Sequence, residues 1–220
     1  LGRPAVAVAR TLDVDPREPD ARVVEEALAV LREGGVVAYP TETYYGLAVD
    51  ARSRAACDRL FALKGRPPEK ALPCIVSGIP QLEEVARSLG KAALLLARRF
   101  WPGPLTLVVE ARPGLAASSP EGGIAVRASG VRLARELAEG LGAPVTATSA
   151  NRSGSPPATT AEEALSELGS ELDLLLDGGP CPGGLPSTIV DVREIPPRLV
   201  REGRVPFVAV ERALREVPLP

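Results

Sequence analysis

Short apolar runs of four to six residues alternate along this chain with longer segments of helical spacing, and that alternation restricts the fold more than any other feature. Val36–Tyr39, Pro73–Ser77, Leu105–Glu110, Ile124–Arg127, Val145–Thr148, Leu172–Leu176, Ser187–Val192 and Arg198–Arg201 read as strands. Between them, Asp20 can cap a helix carrying Val23, Val24, Ala27, Leu28 and Leu31 before Gly34-Gly35, and Ser53 can cap one carrying Ala56, Leu60 and Leu63 before Gly65. Gln81–Leu89, Lys91–Phe100, Val131–Leu141, Thr160–Leu168 and Val208–Glu216 complete the helices. The pattern predicts an α/β fold, a twisted, mostly open sheet flanked by helices. Strands follow one another directly over 105–127 and 187–201, so the sheet is expected to be mixed. One domain is expected over 1–220, with its core at about 20–203 and a short C-terminal tail. The Pro/Gly-rich stretch Gly178–Pro186 is too short to separate domains and reads as a loop over a site.

Composition narrows the chemistry. There is no histidine, which removes serine–histidine and cysteine–histidine nucleophile pairs and imidazole metal sites. Only three lysines occur, and two of them, Lys64 and Lys70, lie close together. A net charge of −2 gives no support to binding driven by neutralising nucleic-acid phosphates. Cys57, Cys74 and Cys181 fit neither a disulfide framework nor a zinc knuckle, no apolar run is long enough for a membrane span, and the first residues lack a secretory pattern. A cytoplasmic protein is the expectation.

Four groups could carry a site. In PTETYYGLA (Pro40–Ala48), Thr41, Glu42 and Thr43 leave a strand end, where open α/β sheets bind ligands, although Thr41 could equally make a local backbone bond. In KGRPPEK, Lys64 and Arg66 flank the helix-ending Gly65, and both are expected to face solvent. As a point charge and a fork they suit a polyphosphate, or simply complement a helix dipole. TSANRSG places Ser149 and Asn151 after a strand, as either phosphate ligands or an Asn turn. Arg127 ends the apolar strand IAVR, where a cation needs either a protein carboxylate or a ligand anion; Ser187 and Arg201 lie at later strand ends. WPGPLT (Trp101–Thr106) reads as structural. Cations and hydroxyls without a nucleophile fit a transfer at phosphorus run by positioning, and the P-loop pattern is absent.

PTETYYGL, KGRP, WPGPLT, AVR, TSAN-x-SG, DGG and STIVD stand in an order and spacing that resembles the YrdC family, the threonylcarbamoyl-AMP synthases, from about Asp20 to Gly203. The resemblance implies a YrdC-like fold with a concave pocket. It implies that Lys64, Arg66, Ser149, Asn151 and Arg201 engage ATP, with Lys64 and Arg66 catalytic, and that Thr41, Arg127 and Ser187 hold L-threonine. Mg²⁺ would enter on the ATP phosphates, within reach of Ser149 and Asn151, with no direct protein site. Bicarbonate is the implied third substrate, and tRNA-threonylcarbamoyl transferase proteins are the implied downstream partners. Ala128-Ser129-Gly130 stands where the family often has Pro then His, and Lys70-Ala71-Leu72 replaces its usual stretch there. The chain resembles the single-domain form, in which product protection falls to a partner or to rapid hand-over. Two competing readings are a carbamoyltransferase module and a non-catalytic RNA-binding protein, so an RNA contact stays open.

Overall fold

The computed structural model describes residues 9–66 and 71–215; Lys70 and Glu216 lie outside them. In chain order the elements are β1 (Arg10–Asp13), α1 (Ala21–Arg32), β2 (Val37–Tyr39), β3 (Gly46–Ala48), α2 (Arg54–Lys64), β4 (Cys74–Ile75), α3 (Ile79–Val85), β5 (Ala86–Ser88), α4 (Lys91–Phe100) and β6 (Leu105–Ala111). They continue with β7 (Gly123–Arg127), α5 (Arg132–Leu141), β8 (Val145–Thr146), β9 (Thr148–Ser149), α6 (Ala161–Leu168), β10 (Leu174–Asp177), β11 (Thr188–Asp191), β12 (Arg198–Arg201) and α7 (Phe207–Arg215).

Local chemistry sets the helices. The Asp20 side chain accepts from Arg22 N, and Val24, Ala27, Leu28 and Leu31 then recur at helical spacing and are buried. That face packs on α5 through Leu133, Leu137 and Leu141. Each large apolar side chain so removed from water contributes about 1.5–3 kcal/mol. Ser53 caps α2 by accepting from Ala56 N, and Gly65, at φ 59°, ends it in a left-handed turn that redirects Arg66.

The strands form two mixed sheets, ordered β1-β10-β2-β3-β9 and β12-β11-β6-β7-β4-β8, with β5 added beside β6. Alternation along β2 serves both faces: Val37 and Tyr39 face the α1/α5 layer, whereas Val36 and Ala38 join the larger core that also takes Leu60 of α2 and Leu96 of α4. Thr146 stitches the sheets together. Its N–H donates to Val49 O (3.1 Å), its Oγ1 donates to Leu47 O (2.8 Å), and the same Oγ1 accepts from Val49 N (3.0 Å).

Two expected elements differ. The helix read over Gln81–Leu89 stops at Val85, and Ala86–Ser88 pair with β6 instead. Arg112 enforces the switch: its N–H takes Val85 O, and its guanidinium takes Ala86 O (2.9 Å) and Glu83 O (3.1 Å). The strand read over Val145–Thr148 breaks at Ala147, whose N–H donates to Pro73 O (2.7 Å). β8 therefore pairs with β4 in one sheet and β9 with β3 in the other.

Candidate functional site

A cavity of about 490 Å³ lies between the sheets, with Ala147 and Pro73 of that break in its lining. Its polar wall includes Thr41, Thr43 and Tyr44 after β2, Arg66 after α2, Thr106 on β6, Arg127 at the end of β7, Thr148 and Ser149 of β9, Ser187 before β11, and Arg201 at the end of β12. Of the residues singled out from the sequence, Thr41, Arg66, Arg127, Ser149, Ser187 and Arg201 line it. Lys64 and Asn151 do not.

Three guanidiniums share this space. Arg66 donates from Nη2 to Ala71 O (2.8 Å), while its Nε is buried without a partner among the described residues. Burial pushes its pKa down. Arg201 reaches Ser187 O (2.9 Å); burial and then the charge of Arg127 hold its pKa down too. Arg127 is paired through Nη1 with Glu42, so a protein carboxylate does sit on it while it lines the cavity. Cations destabilised in this way favour an anionic ligand, whose charge relieves both the desolvation and the mutual repulsion. Hydroxyls surround them. Thr106 Oγ1 donates to Ser187 Oγ (2.9 Å), and Thr41 Oγ1 donates to Tyr44 O (2.7 Å) while accepting from Thr43 N and Tyr44 N. The Thr41 hydroxyl thus organises its own turn, as the local alternative anticipated.

Lys64 corrects the expectation that it faces solvent. It is only 4% exposed. Its Nζ donates to Ser149 O (2.5 Å), Asn151 O (2.6 Å) and Asn151 Oδ1 (3.3 Å), which spends all three protons. Burial, followed by the charge of Arg66, pushes its pKa down to about 8. Asn151 is equally committed: Oδ1 also accepts from Ser149 Oγ (2.5 Å), and Nδ2 donates to Arg152 O and Ser155 O. In return Ser153 N and Arg152 Nη1 take the last carbonyls of α2, those of Lys64 and Leu63. The KGR and SAN segments are one interlocked unit behind the cavity wall, with Arg66 and Ser149 as its exposed face.

The 178–186 loop is tied down beside the wall. Tyr44 Oη donates to Gly184 O (2.6 Å) and Gly183 N to Thr43 O (2.7 Å). Sequence reasoning offered Thr106 only as part of the structural WPGPLT turn and Thr148 only as the first residue of TSANRSG, with no role of its own, yet both line the cavity. It named Ser129 only as a departure from a motif; the structure buries that residue with its Oγ donating to Glu42 Oε2 (2.5 Å). Among the described residues no three His, Cys, Asp or Glu side chains converge on a metal position, and Asn151 has no free oxygen lone pair to offer, so the donors present do not fit a resident divalent cation.

Fold and cavity together define a class: an α/β protein whose ligand chamber is walled by arginines and hydroxyls and suited to an anionic substrate. The chain belongs to the Sua5/YciO/YrdC family, whose model is described as "Telomere recombination" and matches residues 29–203. It is 38% identical over 194 residues to a threonylcarbamoyl-AMP synthase of Pyrococcus abyssi, covering 87% of this chain and 57% of that protein. A threonylcarbamoyl-AMP synthase of Chromohalobacter salexigens is 39% identical over 174 residues, covering 77% of this chain and 92% of its own. A crystal structure of P. abyssi Sua5 complexed with L-threonine superposes with a TM-score of 0.88 at 34% identity, covering 94% of this chain and 61% of that one. The chain thus spans under two thirds of the length of some relatives. Among the described residues no helix is long and apolar enough to cross a membrane.

Proposed function

We propose that this protein makes threonylcarbamoyl-AMP and pyrophosphate from L-threonine, bicarbonate or CO₂, and ATP, in the cytoplasm, for the threonylcarbamoyladenosine modification of tRNA. The observation that carries the reading is the convergence of Arg66, Arg127 and Arg201 on one hydroxyl-lined cavity, only Arg127 of the three being ion-paired among the described residues. The names of the relatives above and the threonine bound to one of them support the choice of substrates.

In this reading the neutral threonine amine adds to CO₂ through a new N–C bond and gives up a proton to water, leaving a carbamate. A carbamate oxygen then attacks the α-phosphorus of ATP, and the bond to the β-phosphate oxygen breaks to release pyrophosphate. Arg127 and the Ser187 and Thr41 turn hold the amino acid, while Arg66, Arg201 and Ser149 face the phosphates. Lys64 and Asn151 keep Ser149 and the end of α2 in place from behind. Mg²⁺ is proposed to arrive with ATP, neutralising phosphate charge as part of the substrate. The chain supplies alignment, charge and a chamber that limits water access to a labile mixed anhydride. The product would pass to tRNA-threonylcarbamoyl transferase proteins.

Pyrophosphate release with ATP, bicarbonate and a panel of amino acids tests the proposal. Release that requires both threonine and bicarbonate is expected; release indifferent to the amino acid, or none, removes it.

A further inference from the structure

Arg127 is a buried cation, 8% exposed, at the end of β7, and one of its corners is already taken. Its Nη1 is ion-paired with Glu42 Oε1. Glu42 is not among the residues that line the cavity, whereas Arg127 is. The second carboxylate oxygen of Glu42 accepts from Ser129 Oγ (2.5 Å). Ser129 is fully buried and is itself held at both ends, its Oγ accepting from Val131 N (3.2 Å) and its carbonyl from Arg135 Nη1 (2.5 Å), at the start of α5. The Glu42 carbonyl accepts from Arg204 Nη1 (2.9 Å). Each oxygen of the Glu42 carboxylate therefore has an assigned partner, and Arg127 Nε and Nη2 bond no group among the described residues.

We infer that Glu42 and Ser129 are positioning residues for Arg127: they pin one corner of its guanidinium so that the remaining edge is presented to the substrate carboxylate. The inference rests on the function proposed above and deepens it. A carboxylate is bound best by two parallel N–H groups of a guanidinium. An untethered arginine gives up rotamer freedom to offer that fork, and a tethered one has given it up beforehand. Glu42 also neutralises a cation that the end of β7 would otherwise bury alone. The Ala128-Ser129-Gly130 segment enters the site indirectly, because the Ser129 hydroxyl fixes the carboxylate that fixes the arginine.

The test titrates threonine and ATP separately in steady-state pyrophosphate release, with calorimetric binding of L-threonine as a readout apart from turnover. Glu42→Ala should raise the threonine KM by about tenfold or more and leave the ATP KM within about twofold. Glu42→Gln keeps an acceptor of the same shape and should shift the threonine KM by less than about threefold, with Ser129→Ala in between. Adding Ser129→Ala to Glu42→Ala should change nothing further, because the serine acts only through the glutamate. Threonine affinity unchanged in Glu42→Ala, or both KM values rising together, overturns the inference. So does a Ser129→Ala effect that persists in full without Glu42. Should Glu42→Ala fail to fold, Ser129→Ala decides: a threonine-specific rise supports the inference and a wild-type KM overturns it. A wild-type protein that binds no threonine overturns the proposed function and this inference with it. Wild-type binding matched by equal binding in Glu42→Ala overturns the inference alone.

Discussion

Lys64 and Asn151 are bound to each other twice, through the backbone carbonyl at 2.6 Å and through Oδ1 at 3.3 Å, across 87 residues of chain. The ammonium is a structural keystone between the end of α2 and the turn that presents Ser149. Removing it leaves Asn151 O without a donor, takes one of two donors from Ser149 O and from Asn151 Oδ1, and empties the space filled by the buried lysine stem. Lys64→Ala should therefore lower stability by about 2–4 kcal/mol, read as a fall in the urea midpoint, together with lost turnover. Unchanged stability would return Lys64 to the role of a free phosphate ligand.

The same lysine predicts a pH signature. Its pKa is pushed down to about 8 in the folded protein, against the ordinary 10.5. Between those values the unfolded chain holds the proton and the folded one sheds it, so the Lys64 contribution to stability rises with pH across the window, and the cost of burying the charge is present in full below about 8. Turnover should move the opposite way, because the neutral amine holds the Ser149 turn with fewer donors. Pyrophosphate release falling through about pH 8 while the urea midpoint gains relative to Lys64→Met is the expected pair of results. A stability difference between the two proteins that is flat across the window contradicts it.

Arg66 should behave differently. Its Nε is already buried without a partner among the described residues, so truncation removes an unsatisfied donor along with one bond to Ala71 O. Arg66→Ala is expected to change stability by no more than about 1 kcal/mol while raising the ATP KM by about tenfold or more. Arg66→Lys should not rescue it, since an ammonium lacks the planar fork. Full rescue by lysine would show that charge alone matters there.

These contrasts mark what the sequence could and could not disclose. Caps are local, so Asp20, Ser53 and Gly65 announce their helices from neighbouring residues. Apolar runs likewise announce β6 and β7. β1 carries no such signal: Arg10, Thr11 and Asp13 are exposed, and the strand exists because β10 pairs with it in parallel. β3 hides inside the motif that also supplies the cavity turn. The break at Ala147 depends on a carbonyl at Pro73, and the pairing of Arg127 with Glu42 spans 85 residues. Motif order brought Arg66, Ser149 and Arg201 to notice, but the direction in which a side chain points is decided by distant partners. Lys64 and Arg66, two residues apart, end with one inside and one on the wall for that reason.

Thr146 tests the seam that holds the two sheets around the cavity. It is fully buried, and its hydroxyl both donates to Leu47 O and accepts from Val49 N. Thr146→Val keeps the volume and the β-branched shape but leaves both backbone groups unpartnered, at about 1–3 kcal/mol each before relaxation. A loss of about 2–4 kcal/mol is expected in chemical denaturation, with turnover per folded molecule near wild type because Thr146 does not line the cavity. Tolerance of valine without loss would mean the seam is held by the backbone alone.

Gly203 sits behind Ser187, and there the backbone leaves no room for a side chain. A Cβ would lie 2.7 Å from the Ser187 carbonyl carbon and 2.8 Å from its oxygen, and closer still to Pro186 O. All three are main-chain atoms, so the strain cannot be relieved by turning a rotamer. Ser187 O is the acceptor for Arg201, and Pro186 and Ser187 are themselves part of the cavity wall, so a shift there is transmitted to the site. Gly203→Ala should cost about 1–3 kcal/mol and reduce turnover beyond what the lost folded fraction explains. Comparing activity per folded molecule, with the folded fraction taken from denaturation curves, separates the two effects. A Gly203→Ala protein with wild-type turnover and stability would show that the Pro186–Ser187 segment yields freely, and that its placement of Arg201 is not needed for the reaction.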